Sequence, residues 1–298
     1  MTDNPILLLE AHGQSLCVLP GVGGTIGHWR DGDIDLLRPA DAEAIVQRSP
    51  RQTGCYPLIP FSGRVRAGLF HFEGAPVRLA LNFAPETHAI HGSAWMNRWS
   101  ETSRGIDRLR IELNHPPGPN WPWRYEAWQE FRLSADGLTV EIGLRNTDEK
   151  AFPAGIGLHP YFHRDSDTRM TARLGGVWQY DSVLIPVKHE RTPAKWDFSA
   201  GRLVDPVRVD HTFTDIGGPI EIVWPHLDRG VRIAPDPVFD KFVVFIPDGR
   251  PYFCVEPVTI MPDAFDRPAS DRPGFRVLAP GESFSGAVQF QILRGVKA

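Results

Sequence analysis

The stretch Gly155-Ile156-Gly157-Leu158-His159-Pro160-Tyr161-Phe162 sets a histidine between small residues and an aromatic pair. Gly155 and Gly157 carry no Cβ and allow close backbone approach. Pro160 removes a backbone donor and restricts His159 to an extended conformation, which predicts a strand end or a bulge with the ring fixed in direction. Such an imidazole is suited to general acid work near neutral pH, although a buried histidine with a satisfied hydrogen bond has the same local signature. A second titratable group, Glu256, ends the apolar run Tyr252-Phe253-Cys254-Val255-Glu256-Pro257, with Tyr252 and Cys254 on its own face. A carboxylate there needs a cation, a substrate or a raised pKa, because burying an isolated charge is costly. Pro257 is expected to end the ladder and fix where the carboxylate points.

Three further places carry polar groups suited to holding a ligand. Arg64, in Ser62-Gly63-Arg64-Val65, presents several fixed donors, useful for hydroxyl or carboxylate oxygens. His88 and His91, in His88-Ala89-Ile90-His91-Gly92, do not share a strand face and lack further ligands at metal-site spacing, which favours hydrogen bonding over metal. Asp210, in Val209-Asp210-His211-Thr212-Phe213, is placed to accept from two neighbouring sugar hydroxyls, or is an ordinary turn aspartate. Pro20-Gly21-Val22-Gly23-Gly24 superficially resembles a phosphate loop, but it lacks the Gly-Lys-Ser/Thr ending and a following helix.

The elements that must position these groups read as strands. Ile6–Glu10 with Ser15–Leu19, and Trp121–Leu133 with Leu138–Asn146 across Ser134-Ala135-Asp136-Gly137, read as hairpins. Further strands are expected at Thr25–Arg30, Ile34–Leu37, Leu69–Phe72, Val77–Leu81, Arg173–Leu174, Trp178–Ile185, Ile220–Val223, Val231–Ala234, Phe242–Ile246, Tyr252–Glu256 and Phe284–Leu293. The best short helix is Asp41–Val46, and residues 54–68 read as a stiff shaped loop. No run has long helical periodicity, no repeat is visible and no linker divides the chain. The expectation is an all-β fold, one large antiparallel β-sandwich domain spanning residues 1–298.

Composition agrees. The 28 Gly and 28 Pro are scattered as turn punctuation, and a net charge of -4 gives no reason to expect nucleic acid or an anionic membrane as partner. Three cysteines outside any CxxC pair read as free thiols in a reducing compartment. No signal peptide or transmembrane run is visible, so a cytoplasmic protein, monomer or homodimer, is expected.

Taken together, Arg64 in its Gly-Arg-Val loop, His88-x-x-His91-Gly92, Gly157-Leu158-His159-Pro160-Tyr161-Phe162, Asp210-His211-x-Phe213 and Glu256-Pro257 occur in the order found in the aldose 1-epimerase (galactose mutarotase) family, which the chain resembles over most of its length. The resemblance implies a galactose mutarotase-like β-supersandwich, with His159 as general acid and Glu256 as general base. It implies that Arg64, His91, Asp210 and Tyr161 hold a small-molecule sugar with His88 nearby, and that neither cofactor nor metal is required. Gly63 stands where Asn is usual, Ser93 where a second Gly is usual, and Pro160 where Ser or Thr is usual, which resembles a divergent bacterial branch. Mutarotation suits an imidazole and a carboxylate on opposite sides of a pocket, each moving a proton. A hexose-6-phosphate epimerase would need basic residues such as Arg51, Arg66 or Arg98. A non-catalytic sugar binder would need neither titratable group. A glycosidase would use Asp210 with Glu256 and leave His159 without a task. Trp95, Trp99, Trp121, Trp123 and Trp128 are candidates for stacking on sugar C–H faces or for packing.

Overall fold

The computed structural model describes residues 5–296. Apart from the one-turn helix Ala42–Val46, capped by the Asp41 side chain accepting from the Ala44 N–H at 2.7 Å, and short 3-10 turns, its regular elements are strands. They form two large antiparallel sheets of 11 and 9 strands, with three small two-stranded ribbons. The fold is all-β, as the alternating patterns and scattered turn residues predict.

The larger sheet places the site. Its central strands run in the spatial order Cys55–Leu58, Gly157–His163, Tyr252–Val258, Lys241–Ile246, Val209–Ile216 and Leu174–Tyr180. Alternate side chains of these strands face opposite ways. Leu158, Phe162, Phe253, Val255, Val244 and Phe213 pack into the main core with Phe131, Val140, Ile142, Ile233 and Phe290 of the other sheet. Tyr56, Leu58, Tyr161, Cys254 and Val258 belong to a separate apolar cluster on the opposite face, with Trp95 above them. The period of two therefore sends one set of residues to the core and leaves the other to build a site.

Two local expectations need correction. His159 lies within the strand Gly157–His163, at neither a strand end nor a bulge: Gly157–Pro160 pair with Leu58–Cys55 on one side, and Tyr161–His163 with Cys254–Tyr252 on the other. Pro257 does not end its strand, which runs on to Val258 with Pro257 opposite Phe242. The two prolines instead interrupt a single ladder. Gly157 pairs with Val258 and Tyr161 with Cys254, while pairing lapses between them, where Pro160 and Pro257 have no N–H to give. The registers on either side of this gap leave His159 directly opposite Glu256.

Elsewhere, the run expected at Trp178–Ile185 stops at Tyr180. Asp181 closes a turn there by accepting from the N–H groups of Val183 and Ile185, each at 3.0 Å. The run expected at Val77–Leu81 is paired at Ala75–Arg78. Ser100–Arg104, Arg108–His115, Pro186–Arg191 and Phe198–Leu203 are strands that the sequence reading passed over. The first is exposed along its whole length, so it has no apolar alternation to read.

Candidate active site

On the site face, side chains of neighbouring strands line up in two rows. The first runs Tyr56, His159, Glu256, Val243, and the second Tyr161, Cys254, Phe245, Asp210. Most of these residues border a cavity of about 140 Å³ closed by Arg51, Gly63, Arg64, Phe83, Glu86, Ile90, His91, Trp95 and Pro262 from outside the sheet. That is well below the roughly 300–1,000 Å³ of sites for drug-sized ligands, and suits one small ring. A larger groove of about 680 Å³, bordered by Trp178, Phe239 and Lys241, contains none of the residues singled out from sequence.

His159 and Glu256 meet on the cavity floor, with His159 Nε2 3.2 Å from Glu256 Oε1. The imidazole packs against two phenol rings, Tyr56 at 4.5 Å and Tyr161 at 4.8 Å between centroids, which themselves lie 6.2 Å apart. His91 meets its edge at 5.4 Å. Both members of the pair are buried. Burial drives the His159 pKa well below the ordinary imidazole value, and the nearby Arg51 charge adds to this. Burial drives the Glu256 pKa well above the carboxylate range, with the Asp210 charge adding and Arg64 opposing. Both shifts favour a neutral pair, in which one proton resides on Glu256 and is donated to Nε2. Both directions favour a neutral hydrogen-bonded contact over an ion pair.

The walls are built by short-range geometry. Arg64–Val65 pairs with Ala89–Ile90, which sets Arg64 beside His91. The His91 N–H donates to the Gly63 carbonyl at 2.9 Å, and the Gly63 N–H donates back to His91 Nδ1 at 3.1 Å. Accepting at Nδ1 fixes the tautomer and leaves Nε2–H as a donor. Burial, the first cause, keeps this ring neutral, with the neighbouring His159 and Arg64 contributing. His91 itself has φ 61° and Gly92 φ +72°, and a Cβ on Gly92 would stand 2.1 Å from the Ile59 carbonyl oxygen. Only glycine fits at that approach. Arg64 forms a two-point pair with Glu86, at 2.9 Å from Nη2 and 3.2 Å from Nε. Asp210, partly open to the cavity, has its pKa raised by burial, with Arg64 opposing.

His159, Glu256, Arg64, His91, Tyr161 and Asp210 therefore converge on one cavity, though they come from strands and a loop far apart in the chain. His88 does not border it. Its Nδ1 accepts from the Ala67 N–H at 3.1 Å, so Nε2 carries the proton and donates to the Val183 carbonyl at 3.1 Å, bracing the loop behind Arg64. His159 and Glu256 are also not on opposite sides of the pocket, because the sheet register makes them neighbours. Of the five tryptophans considered, only Trp95 borders the cavity, and Trp99 and Trp121 are core residues.

Sequence reading missed Tyr56, Glu86, Tyr180 and Phe245, which also border it. Phe245 and Tyr56 were reachable once strand register was known. Glu86 sits in a loop and carries no local signal. Among the described residues, the group close enough to hold a metal ion is His159, Cys254 and Glu256, whose ligand atoms lie within 4.8 Å of one another.

Comparison with known proteins bears on the family. The chain is 28% identical to the uncharacterised Escherichia coli K12 protein YphB over 291 residues, 95% of this chain and 97% of that one. A crystal structure of an E. coli K12 protein provisionally called an aldose 1-epimerase superposes with TM-score 0.87 at 26% identity, covering 98% of this chain and 100% of the other. A galactose mutarotase-like protein from Clostridium acetobutylicum shares the fold, with TM-score 0.88 at 20% identity, covering 98% and 96%. The family model for aldose 1-epimerase matches residues 5–291, and the chain belongs to that family.

Proposed function

We propose that the protein is an aldose 1-epimerase that interconverts the α and β anomers of a free monosaccharide by acid–base ring opening. The observation that carries this reading is the buried contact between His159 Nε2 and Glu256 Oε1 at 3.2 Å on the floor of a one-sugar cavity. The two oxygens that exchange protons in mutarotation, the C1 hydroxyl and the ring oxygen, are bonded to the same carbon. An acid and a base that touch each other suit that pair better than groups facing across a cavity.

The proton count closes. Moving the shared proton from Glu256 to His159 makes a carboxylate base and an imidazolium acid without solvent. Glu256 then takes the C1 hydroxyl proton while His159 protonates the ring oxygen, and the C1–O5 bond breaks. The pair is neutral again while the aldehyde turns about C1–C2. Attack of the O5 hydroxyl on the other carbonyl face returns its proton to His159, and Glu256 gives one to the aldehyde oxygen. Arg64, the His91 Nε2–H, Asp210 and Tyr161 supply donors and acceptors for the remaining hydroxyls, and the reaction asks for no redox step or cofactor.

A phosphorylated substrate would rest on Arg51, which borders the cavity and packs over the Phe83 ring at 3.7 Å. Arg66 is turned away toward Asp181 and Asp263, at 3.7 and 3.5 Å. Anomer-exchange NMR across free and 6-phosphorylated aldoses tests both readings. Faster exchange for free sugars is expected. Acceleration confined to the phosphorylated set would transfer the assignment, and tight binding without acceleration would make the protein a binder.

A further inference from the structure

The second row of the site face places a thiol where the proposed reaction has no use for one. Cys254 stands next to Tyr161 in the ladder, two residues before Glu256 on the same strand face, and it is fully buried. Its sulfur, a His159 ring nitrogen and a Glu256 oxygen lie within 4.8 Å of one another. Nitrogen, sulfur and oxygen in one small space are the donor mixture that borderline-soft divalent ions select, whereas magnesium and calcium take oxygen donors.

We propose that the cavity floor is a latent zinc site, in which His159, Cys254 and Glu256 bind one thiophilic divalent cation in competition with the sugar, so that the ion is an inhibitor rather than a cofactor.

The geometry needs little adjustment. Zinc bonds of about 2.0–2.3 Å in a tetrahedral arrangement put ligand atoms roughly 3.3–3.6 Å apart. The edge between His159 Nε2 and Glu256 Oε1, at 3.2 Å, already has that spacing, and the sulfur, within 4.8 Å, has to close by no more than about 1.5 Å. The imidazole is already packed against Tyr56 and Tyr161, so little ring freedom is lost on binding. Charge also balances. A divalent ion would replace two protons, the one shared by His159 and Glu256 and the one on the Cys254 thiol, and the buried site would stay neutral.

The test uses the full chain, stripped with a chelator and desalted. Calorimetry with zinc chloride in buffers of different ionisation enthalpy is expected to show one ion per chain and release of two protons. Cobalt(II) should give a thiolate-to-metal absorption band. Cys254→Ala should lose that band and bind zinc at least about 100-fold more weakly, since losing a ligand costs no less than losing one of the outer-shell partners that orient it. Cys254 lies outside the cavity lining, so the variant should keep wild-type turnover, and Cys254→Val serves if alanine lowers stability. Zinc should raise the apparent KM for sugar, excess chelator should reverse it, and magnesium should do neither. Absence of one-to-one binding, or equally tight binding by Cys254→Ala, overturns the proposal. The calorimetric and spectroscopic results do not depend on turnover, so they stand or fall separately from the mutarotase reading.

Discussion

Replacing Glu256 by Gln keeps the shape of the protonated carboxyl and removes its ability to release a proton. General acid–base steps contribute about 10²–10⁴ in rate, or about 2.7–5.4 kcal/mol of barrier. Polarimetry on freshly dissolved α-sugar should show a loss of that size. The same substitution has a second, opposite signature in stability. Glu256 is fully enclosed, and burial raises its folded-state pKa well above the unfolded value. The stability this group contributes is therefore complete below the unfolded pKa of about 4.3 and is lost as pH rises through the folded value. Each tenfold gain in proton affinity on folding corresponds to about 1.4 kcal/mol. The amide of Glu256→Gln does not titrate, so the variant should melt at or near the wild-type temperature around pH 4. It should then become progressively more stable than wild type toward neutral pH, by about 2–4 °C per kcal/mol. Thermal scans at several pH values measure this beside the kinetics. A Tm difference that does not change with pH, or activity within tenfold of wild type, would refute the reasoning.

Three other perturbations follow from the same geometry. The pKa of His159 is depressed on folding, so wild type should lose stability as pH falls through the unfolded imidazole value of about 6.5, and His159→Asn should lack that part of the acid sensitivity while losing most turnover. Asp210 raises the proton affinity of the Glu256 pair and Arg64 lowers it, so Asp210→Asn should move both limbs of the pH–rate profile toward lower pH and Arg64→Gln toward higher pH, each with a raised KM; movement in one direction for both would contradict the assignment. Gly92→Ala should destabilise the fold by at least about 1–2 kcal/mol from its left-handed backbone alone, with more from the Ile59 carbonyl, and should weaken sugar binding by displacing His91, as read by urea midpoint and KM.

Much of the fold was legible because half-buried strands write a period of two into the chain. The hairpin at Tyr125–Ser134 and Gly137–Asn146 could be read directly, and so could the strand that carries Cys254 and Glu256. Fully exposed Ser100–Arg104 could not, since only its pairing with Arg108–His115 makes it a strand. Residue chemistry alone singled out His159, Glu256, Arg64, His91 and Asp210. It also singled out His88, whose two ring nitrogens are spent on backbone groups, and proximity in sequence carries no information about which way a loop histidine turns.

Tertiary structure decided how those groups meet. Pro160 and Pro257 read as a constraint and a strand end when each is taken alone. Only their alignment on adjacent strands opens the ladder at one place and sets His159 against Glu256. Register is a relation between strands distant in the chain, here separated by about a hundred residues, so no local pattern contains it. The same register brought Cys254 and Asp210 into the second row, and loop packing added Glu86 beside Arg64. The sequence determined which titratable side chains the strands carry and on which strand faces they stand. The pairing of strands determined that His159 and Glu256 touch and that a thiol lies within reach of both.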